Sequence, residues 1–242
     1  MGQALLAAAS STEGVTLGSA VDLTPGAWGQ VAIGTDVSAA IAACDVLIDF
    51  TRPAGTLEHV RACLDAKRAI VIGTTGFSPD QVDEIRRVAG TIAVLMAPNM
   101  SVGVNVMLKL VELGSRALGP EYDVEIFEMH HRKKVDAPSG TALKLGEVAA
   151  AARGAGLGEV GVFDRHGATG ERRAGSMGFS VARGGDIVGD HTVFFAGTGE
   201  RIEVTHRSTS RATYAQGAMR AARFLADKPA GLYDMQDALG LR

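Results

Sequence analysis

The chain has 242 residues, 46% of them hydrophobic and 21% charged, so it can bury a good core and fits one large or two small domains. A formal net charge of −3, with no basic run beyond Arg132, Lys133 and Lys134, argues against nucleic acid and membrane surfaces as partners. Two cysteines, Cys44 and Cys63, fit no disulfide framework and no metal-ligand spacing, which points to a reducing cytoplasm.

The first residues, 1–9, are apolar but lack a basic leader and are too short to span a bilayer, so they read as a helix already in progress. Residues 15–22 predict a strand ending in an acid. Strands are then predicted over 45–50, 69–73 and 91–96, with helices over 53–67 and 79–89 between them. Strands made of continuous apolar runs and alternating with helices mean a parallel, doubly wound sheet. Ligands bind such sheets at the carboxyl ends of the strands. Those ends carry Asp22, the turn from Phe50 to Pro53, the turn Gly73-Thr74-Thr75-Gly76, and Ala97-Pro98-Asn99-Met100. Any one of these turns taken alone is also ordinary turn and cap chemistry.

Residues 102–118 predict a helix leading into the most polar stretch of the chain. From Val124 to Met129 the pattern alternates, with apolar Val124 and Ile126 set against acidic Glu125 and Glu128, so a half-buried strand is expected. His130 and His131 follow at its end, and Arg132, Lys133 and Lys134 make the region positive. Pro138 stops the strand. Ser139 is a good N-cap, so a helix is expected to open there with N–H groups at Gly140 and Thr141 directed at an anion. His131 and Lys134 can close on that same anion, and His130 adds a group that exchanges protons near neutral pH. Adjacent histidines are also common as packing residues. A metal would need ligands beyond Asp136 and Glu128, so none is expected. Ser139 lacks the glycine flanks of a nucleophile elbow.

Beyond residue 154, short strands are predicted over 178–182, 191–196 and 201–206, with loops over 154–161 and 183–186, which is the pattern of an α+β domain. Helices are predicted over 212–225 and 231–239. The expected division is a dinucleotide-binding domain of residues 1–100 with 211–242, and a substrate-binding and oligomerisation domain of 101–210.

Residues 125–142 read Glu-Ile-x-Glu-x-His-His-x-x-Lys-x-Asp-x-Pro-Ser-Gly-Thr-Ala. This segment resembles, without a gap, the signature of the dihydrodipicolinate (4-hydroxy-tetrahydrodipicolinate) reductase family of bacterial and plant lysine synthesis. The resemblance extends over nearly the whole chain. It implies a Rossmann-like parallel sheet beside an α+β domain with an open mixed sheet, a homotetramer, and the use of NADH or NADPH. Asp22 stands where the family places the acid that holds the adenosine ribose. Gly73, Thr74 and Thr75 stand at its Gly-Thr-Thr turn near the nicotinamide, Ala97, Pro98, Asn99 and Met100 at a loop that covers the ring, and Phe50 among its cofactor contacts. The position after the acid often carries arginine, which can meet a 2′-phosphate; here it is Leu23, which leans toward NADH. The family also has a first strand and a Gly-x-x-Gly-[Arg/Lys]-Met-Gly turn, and Met1-Gly2 match only the end of that turn. A misassigned start, an incomplete sequence or a true short form would each account for it.

The implied reaction is reduction of 4-hydroxy-tetrahydrodipicolinate to tetrahydrodipicolinate, a step toward diaminopimelate and lysine. His130 is the first choice of proton donor and Lys134 the second, while His131, Ser139, Gly140 and Thr141 hold a carboxylate of the substrate. The alternatives are a form impaired in cofactor binding and without reductase activity, or another dehydrogenase of the aspartate pathway.

Overall fold

A computed structural model describes the whole chain, Met1–Arg242. It divides into two compact units, Met1–Val102 with Arg211–Arg242, and Gly103–Ser210.

In the first unit, helix α1 (Gly2–Ser11), a hairpin of β1 (Gly26–Trp28) and β2 (Val31–Ile33), and the short helix α2 (Val37–Ala42) precede an alternating run. That run is β3 (Val46–Asp49), α3 (Pro53–Ala66), β4 (Ala69–Ile72), α4 (Pro79–Ala89) and β5 (Ala93–Met96). The chain returns at its end as α8 (Ala212–Leu225), β11 (Gly231–Tyr233) and α9 (Met235–Leu239). Strands β11, β5, β4 and β3 lie side by side in that order, all parallel. Ile70, Ile72 and Val94 point into a core with Leu57 and Val60 of α3 and Ile85 and Val88 of α4. Val71, Ala93 and Leu95, one residue out of phase, point into the opposite core with Ala218, Ala221 and Leu225 of α8. Burial on both faces is why these strands read as unbroken apolar runs. Helix α4 starts where Ser78 Oγ accepts from Gln81 N–H and Gln81 Oε1 accepts from Ser78 N–H, a reciprocal cap that fixes its first turn.

Three expectations change. Residues 15–22 form no strand beyond a single bridge between Val21 and Gly34. Strand β3 hydrogen-bonds on one side only, to β4. Its other edge and residues 15–22 border a cavity of about 530 Å³ lined also by Leu6 and Met219. With no strand between the two segments, residues 15–22 have no ladder to join. Residues 231–239 are not one helix. Gly231–Tyr233 pair in parallel with Ala93–Leu95, and α9 starts only after Asp234, whose carboxylate accepts from Gln236 and Asp237 N–H. Residues 154–161 are not all loop: α7 (Leu157–Val160) forms there because Leu157 and Val160 pack on the core of the second unit.

The second unit has α5 (Val102–Leu118), β6 (Asp123–His130), α6 (Gly140–Ala152), α7, then β7 (Gly161–Val162), β8 (Met177–Arg183), β9 (Gly189–Ala196) and β10 (Arg201–Ser208). Its sheet runs β10-β9-β6-β8-β7, antiparallel among β10, β9 and β6 and parallel among β6, β8 and β7. Met107 and Val111 of α5 and Leu145 and Ala149 of α6 pack on Val124, Ile126, Val193 and Phe195 of the sheet. No helix is long and apolar enough to cross a membrane.

Candidate active site

Strand β6 alternates strictly, and its inward positions are Val124, Ile126, Glu128 and His130. The inward row therefore changes from apolar to ionisable over its last half. Glu128, expected on the polar side with Glu125, has the same parity as Ile126 and is wholly buried. A buried carboxylate persists only when donors surround it, and they do. Arg183 donates to both oxygens at 2.8 Å, His130 Nδ1 lies 2.6 Å from Oε2, and Ser139 N–H donates to Oε1 at 2.9 Å. Burial alone would raise this carboxyl; the Arg183 and His130 hydrogen bonds outweigh it and hold Glu128 below the usual carboxylate range.

With Nδ1 committed to Glu128, the ring nitrogen of His130 left over for any proton exchange is Nε2. It faces Gly189, where a Cβ would stand 2.9 Å away, so the glycine keeps the approach to that nitrogen clear. The His191 ring meets His130 edge-on, with centroids 5.1 Å apart. Its Nε2 is 3.0 Å from Ser139 Oγ, and its buried Nδ1 has no partner. Burial, and next the charge of His130, push His191 down to about 4, so it is neutral at neutral pH.

Ser139 caps α6 by accepting from Ala142 N–H at 3.2 Å, and Gly140 and Thr141 form the first residues of the helix. The first N–H groups of a helix have no carbonyl four residues back, and a Cβ on Gly140 would meet nothing within 4 Å. The turn between His130 and Ser139 is pinned: Gly184 N–H donates to His130 O and Arg132 N–H to Gly185 O, while Arg183 reaches Asp136 O. His131 is half-buried on this turn. Lys134 Nζ is 2.8 Å from Asp136 Oδ1, an exposed kind of pair that costs little to exchange for a bound anion. His130, Ser139, Gly140 and Thr141 thus gather around one strand end and one helix start, joined by Glu128.

In the first unit, Phe50, Gly73, Thr74 and Thr75 come together at the carboxyl ends of β3 and β4. A Cβ on Gly73 would lie 2.3 Å from the Phe50 ring, so only glycine lets turn and ring touch. The N–H groups of Thr75 and Gly76 make no hydrogen bond within the chain. The Thr74 hydroxyl is turned inward, toward Thr56 at 2.9 Å and Asp49 at 3.2 Å. Ala97 and Met100 are buried and Pro98 is exposed, and the Met100 side chain belongs to the core. Asp22 is exposed, accepts from Leu23 N–H at 2.7 Å, and lies on the cavity beside β3.

Sequence reasoning missed Arg183, His191, Asp49 and His59 and misread Glu128. The parity of β6 was a usable signal for Glu128. His191 pairs across the sheet with Glu128, a register no local pattern contains.

The chain matches the family model of the dihydrodipicolinate reductase N-terminus over residues 1–100 and that of the C-terminus over residues 103–239. It is similar to the 4-hydroxy-tetrahydrodipicolinate reductases of Bordetella pertussis, 57% identical over 100% of this chain and 94% of that protein, and of Nitrosospira multiformis, 61% identical over 88% and 79%. Among solved structures, a dipicolinate-bound dihydrodipicolinate reductase from Paenisporosarcina sp. TG-14 superposes with a TM-score of 0.80 at 26% identity, covering 98% of this chain and 94% of that one. An apo scyllo-inositol dehydrogenase from Lactobacillus casei, 11% identical with a TM-score of 0.58 over 98% and 88%, shares the fold alone.

Proposed function

The chain belongs to the dihydrodipicolinate reductase family, and from that premise we propose that it reduces 4-hydroxy-tetrahydrodipicolinate to tetrahydrodipicolinate with NADH or NADPH, on the route to diaminopimelate and lysine. The observation that carries this reading is the buried Glu128–His130 pair beside the opening of α6. Another dehydrogenase of the aspartate pathway is disfavoured, because relatives named as this reductase match across the full chain.

The 4-hydroxy ring has to lose its hydroxyl as water, which leaves an unsaturated heterocycle, and a dinucleotide, when bound, would supply the hydride that a ring carbon of that heterocycle accepts. The first unit suits it: the Thr75 and Gly76 N–H groups are open donors at the end of β4, and Gly73, with no side chain, lets the Phe50 ring lie directly against that turn. Phe50, Gly73, Thr74, Thr75, Ala97, Pro98, Asn99 and Met100 are the assigned contacts, Met100 through its backbone. Asp22 is assigned to the adenosine ribose. Leu23 beside it is 98% exposed and offers no charge to a 2′-phosphate, which supports a preference for NADH, tested by comparing kcat/KM for the two cofactors.

In the second unit, Gly140 and Thr141 N–H groups, the Ser139 turn, His131 and Lys134 hold one carboxylate of the substrate. Helix-start donors and the positive end of the dipole suit it. Once hydride has reached the ring, the enamine left behind takes a proton on carbon from His130 Nε2, while Glu128 keeps Nδ1 hydrogen-bonded and the ring aimed. His191, neutral, adds no charge behind it. Lys134 stabilises negative charge shifting through the ring.

The open face of the second sheet carries Phe127 and Met129 of β6 and Phe194 of β9, all only half-buried. It fits burial in a homotetramer, which sedimentation would test; a monomer at all concentrations counts against it. The free thiols Cys44 and Cys63 fit a reducing cytoplasm.

Purified wild type, His130→Gln and Lys134→Ala decide the assignment. His130→Gln is expected to lose roughly hundredfold in kcat. Near-normal turnover in both variants would overturn the roles of proton donor and charge stabiliser, and a Lys134→Ala loss confined to KM would make that residue a binder only.

A further inference from the structure

Behind the turn that faces the dinucleotide, three elements converge on one buried side chain. Asp49, the last residue of β3, has no exposed side-chain surface. Its Oδ1 accepts from Thr51 N–H at 2.7 Å and Thr51 Oγ1 at 2.8 Å. The same atom lies 3.2 Å from Thr74 Oγ1 and 3.3 Å from Thr56 Oγ1. Its Oδ2 lies 2.6 Å from His59 Nδ1. Every neighbour can donate, so the carboxylate is ionised. Burial would raise it, but the His59 hydrogen bond and then those of Thr51 hold Asp49 below the usual range. Thr51 belongs to the turn after β3, Thr56 and His59 to α3, and Thr74 to the turn after β4.

An ordinary helix cap would satisfy the start of α3 and stop there. This carboxylate also reaches a residue of the adjacent strand's turn. Thr74 spends its hydroxyl on the cluster, and its neighbours Thr75 and Gly76 are the ones whose N–H groups make no hydrogen bond within the chain. Buried charge-assisted hydrogen bonds are strong and directional, so they fix where those two open donors stand.

We propose that Asp49 and His59 are positioning residues for the dinucleotide: they anchor Thr74 from beneath, so that the Thr75 and Gly76 N–H groups are held ready for the cofactor, which neither Asp49 nor His59 touches. The inference rests on the dinucleotide reading above. It requires loss of the anchor to weaken the cofactor and spare the dicarboxylate.

The test is steady-state kinetics on His59→Leu and His59→Asn, with NADH binding followed separately by its fluorescence and folding by thermal unfolding. Asparagine keeps a donor near the place of Nδ1; leucine does not. Loss of one such hydrogen bond corresponds to about fivefold in affinity. His59→Leu should therefore raise KM for NADH about fivefold, with kcat and the KM for the dicarboxylate near wild type, and His59→Asn should restore most of the loss. The proposal fails if both KM values rise together, or if unfolding temperature falls while NADH affinity is unchanged. If wild type itself leaves NADH fluorescence unaltered, the cofactor reading fails and the positioning role with it, an outcome visible before any variant is made.

Discussion

Each unit buries a carboxylate against an imidazole Nδ1 at 2.6 Å, Asp49 with His59 in one and Glu128 with His130 in the other. Each carboxylate also accepts a backbone N–H just ahead of a helix, from Thr51 before α3 and from Ser139 before α6. They differ in what else surrounds the charge. Around Asp49 the remaining donors are neutral hydroxyls, so His59 is its only cationic partner, and the hydrogen bond to Asp49 raises the His59 pKa. Around Glu128 a guanidinium grips both oxygens, so that charge is met whatever the protonation of the ring beside it. The same pair thus suits the proposed anchor in one setting and the proposed proton donor in the other, because an ion that already has a fixed counter-charge leaves its second partner free to trade a proton.

Removing the charge on the Glu128 side should break the comparison most sharply. Glu128→Gln leaves Arg183 without its partner and His130 without its orienting acceptor, and kcat is expected to fall roughly hundredfold with the KM for NADH little changed. A variant with wild-type kcat would reduce Glu128 to a packing residue. Gly189→Ala probes the other side of the same ring: a methyl 2.9 Å from His130 Nε2 must displace it, and about a tenfold loss in kcat is expected, measurable at saturating substrates.

The pH dependence of stability should sharpen the contrast, because the two units carry imidazoles shifted in opposite senses. His191 is pushed down to about 4 by burial, so the unfolded chain binds its proton first. Its contribution is present above the ordinary imidazole value near 6.5 and is lost as pH falls from there toward 4. His59 is raised by Asp49, so its contribution is present below that ordinary value and is lost as pH rises through the folded one. Denaturant unfolding from pH 4 to 9 should give a slope in the acid window that His191→Leu flattens, and a smaller loss on the alkaline side that His59→Leu removes. The same slopes in wild type and variants would contradict both assignments.

The smallest effect is expected at Lys134. Asp136→Asn frees its ammonium from a pair whose carboxylate is half exposed, and such pairs are worth on the order of 0.5 kcal/mol. The KM for the dicarboxylate should fall by about twofold, read from initial rates; a rise would mean that Asp136 itself helps hold the substrate.

Much of this molecule is written locally. The runs Ile70-Val71-Ile72 and Val94-Leu95, Ser78 with Gln81, and Ser139 ahead of Gly140 and Thr141 each carry their structure within a few residues, since periodicity and capping are short-range physics. The imidazole-and-lysine stretch was equally legible, as a polar density that folding does not require. Tertiary structure decided the rest. Residues 15–22 have strand-forming character but no ladder to join, and Gly231–Tyr233 became a strand only because β5 offered an edge. Glu128 turned inward by the register of β6. Arg183 and His191 reached it across neighbouring strands, and Asp49 drew His59, Thr56 and Thr74 from two other elements. Hydrogen bonds between strands are chosen by which edges meet and how they align, and that alignment is set by burial summed over the whole unit, not by the residues on either side of a single position.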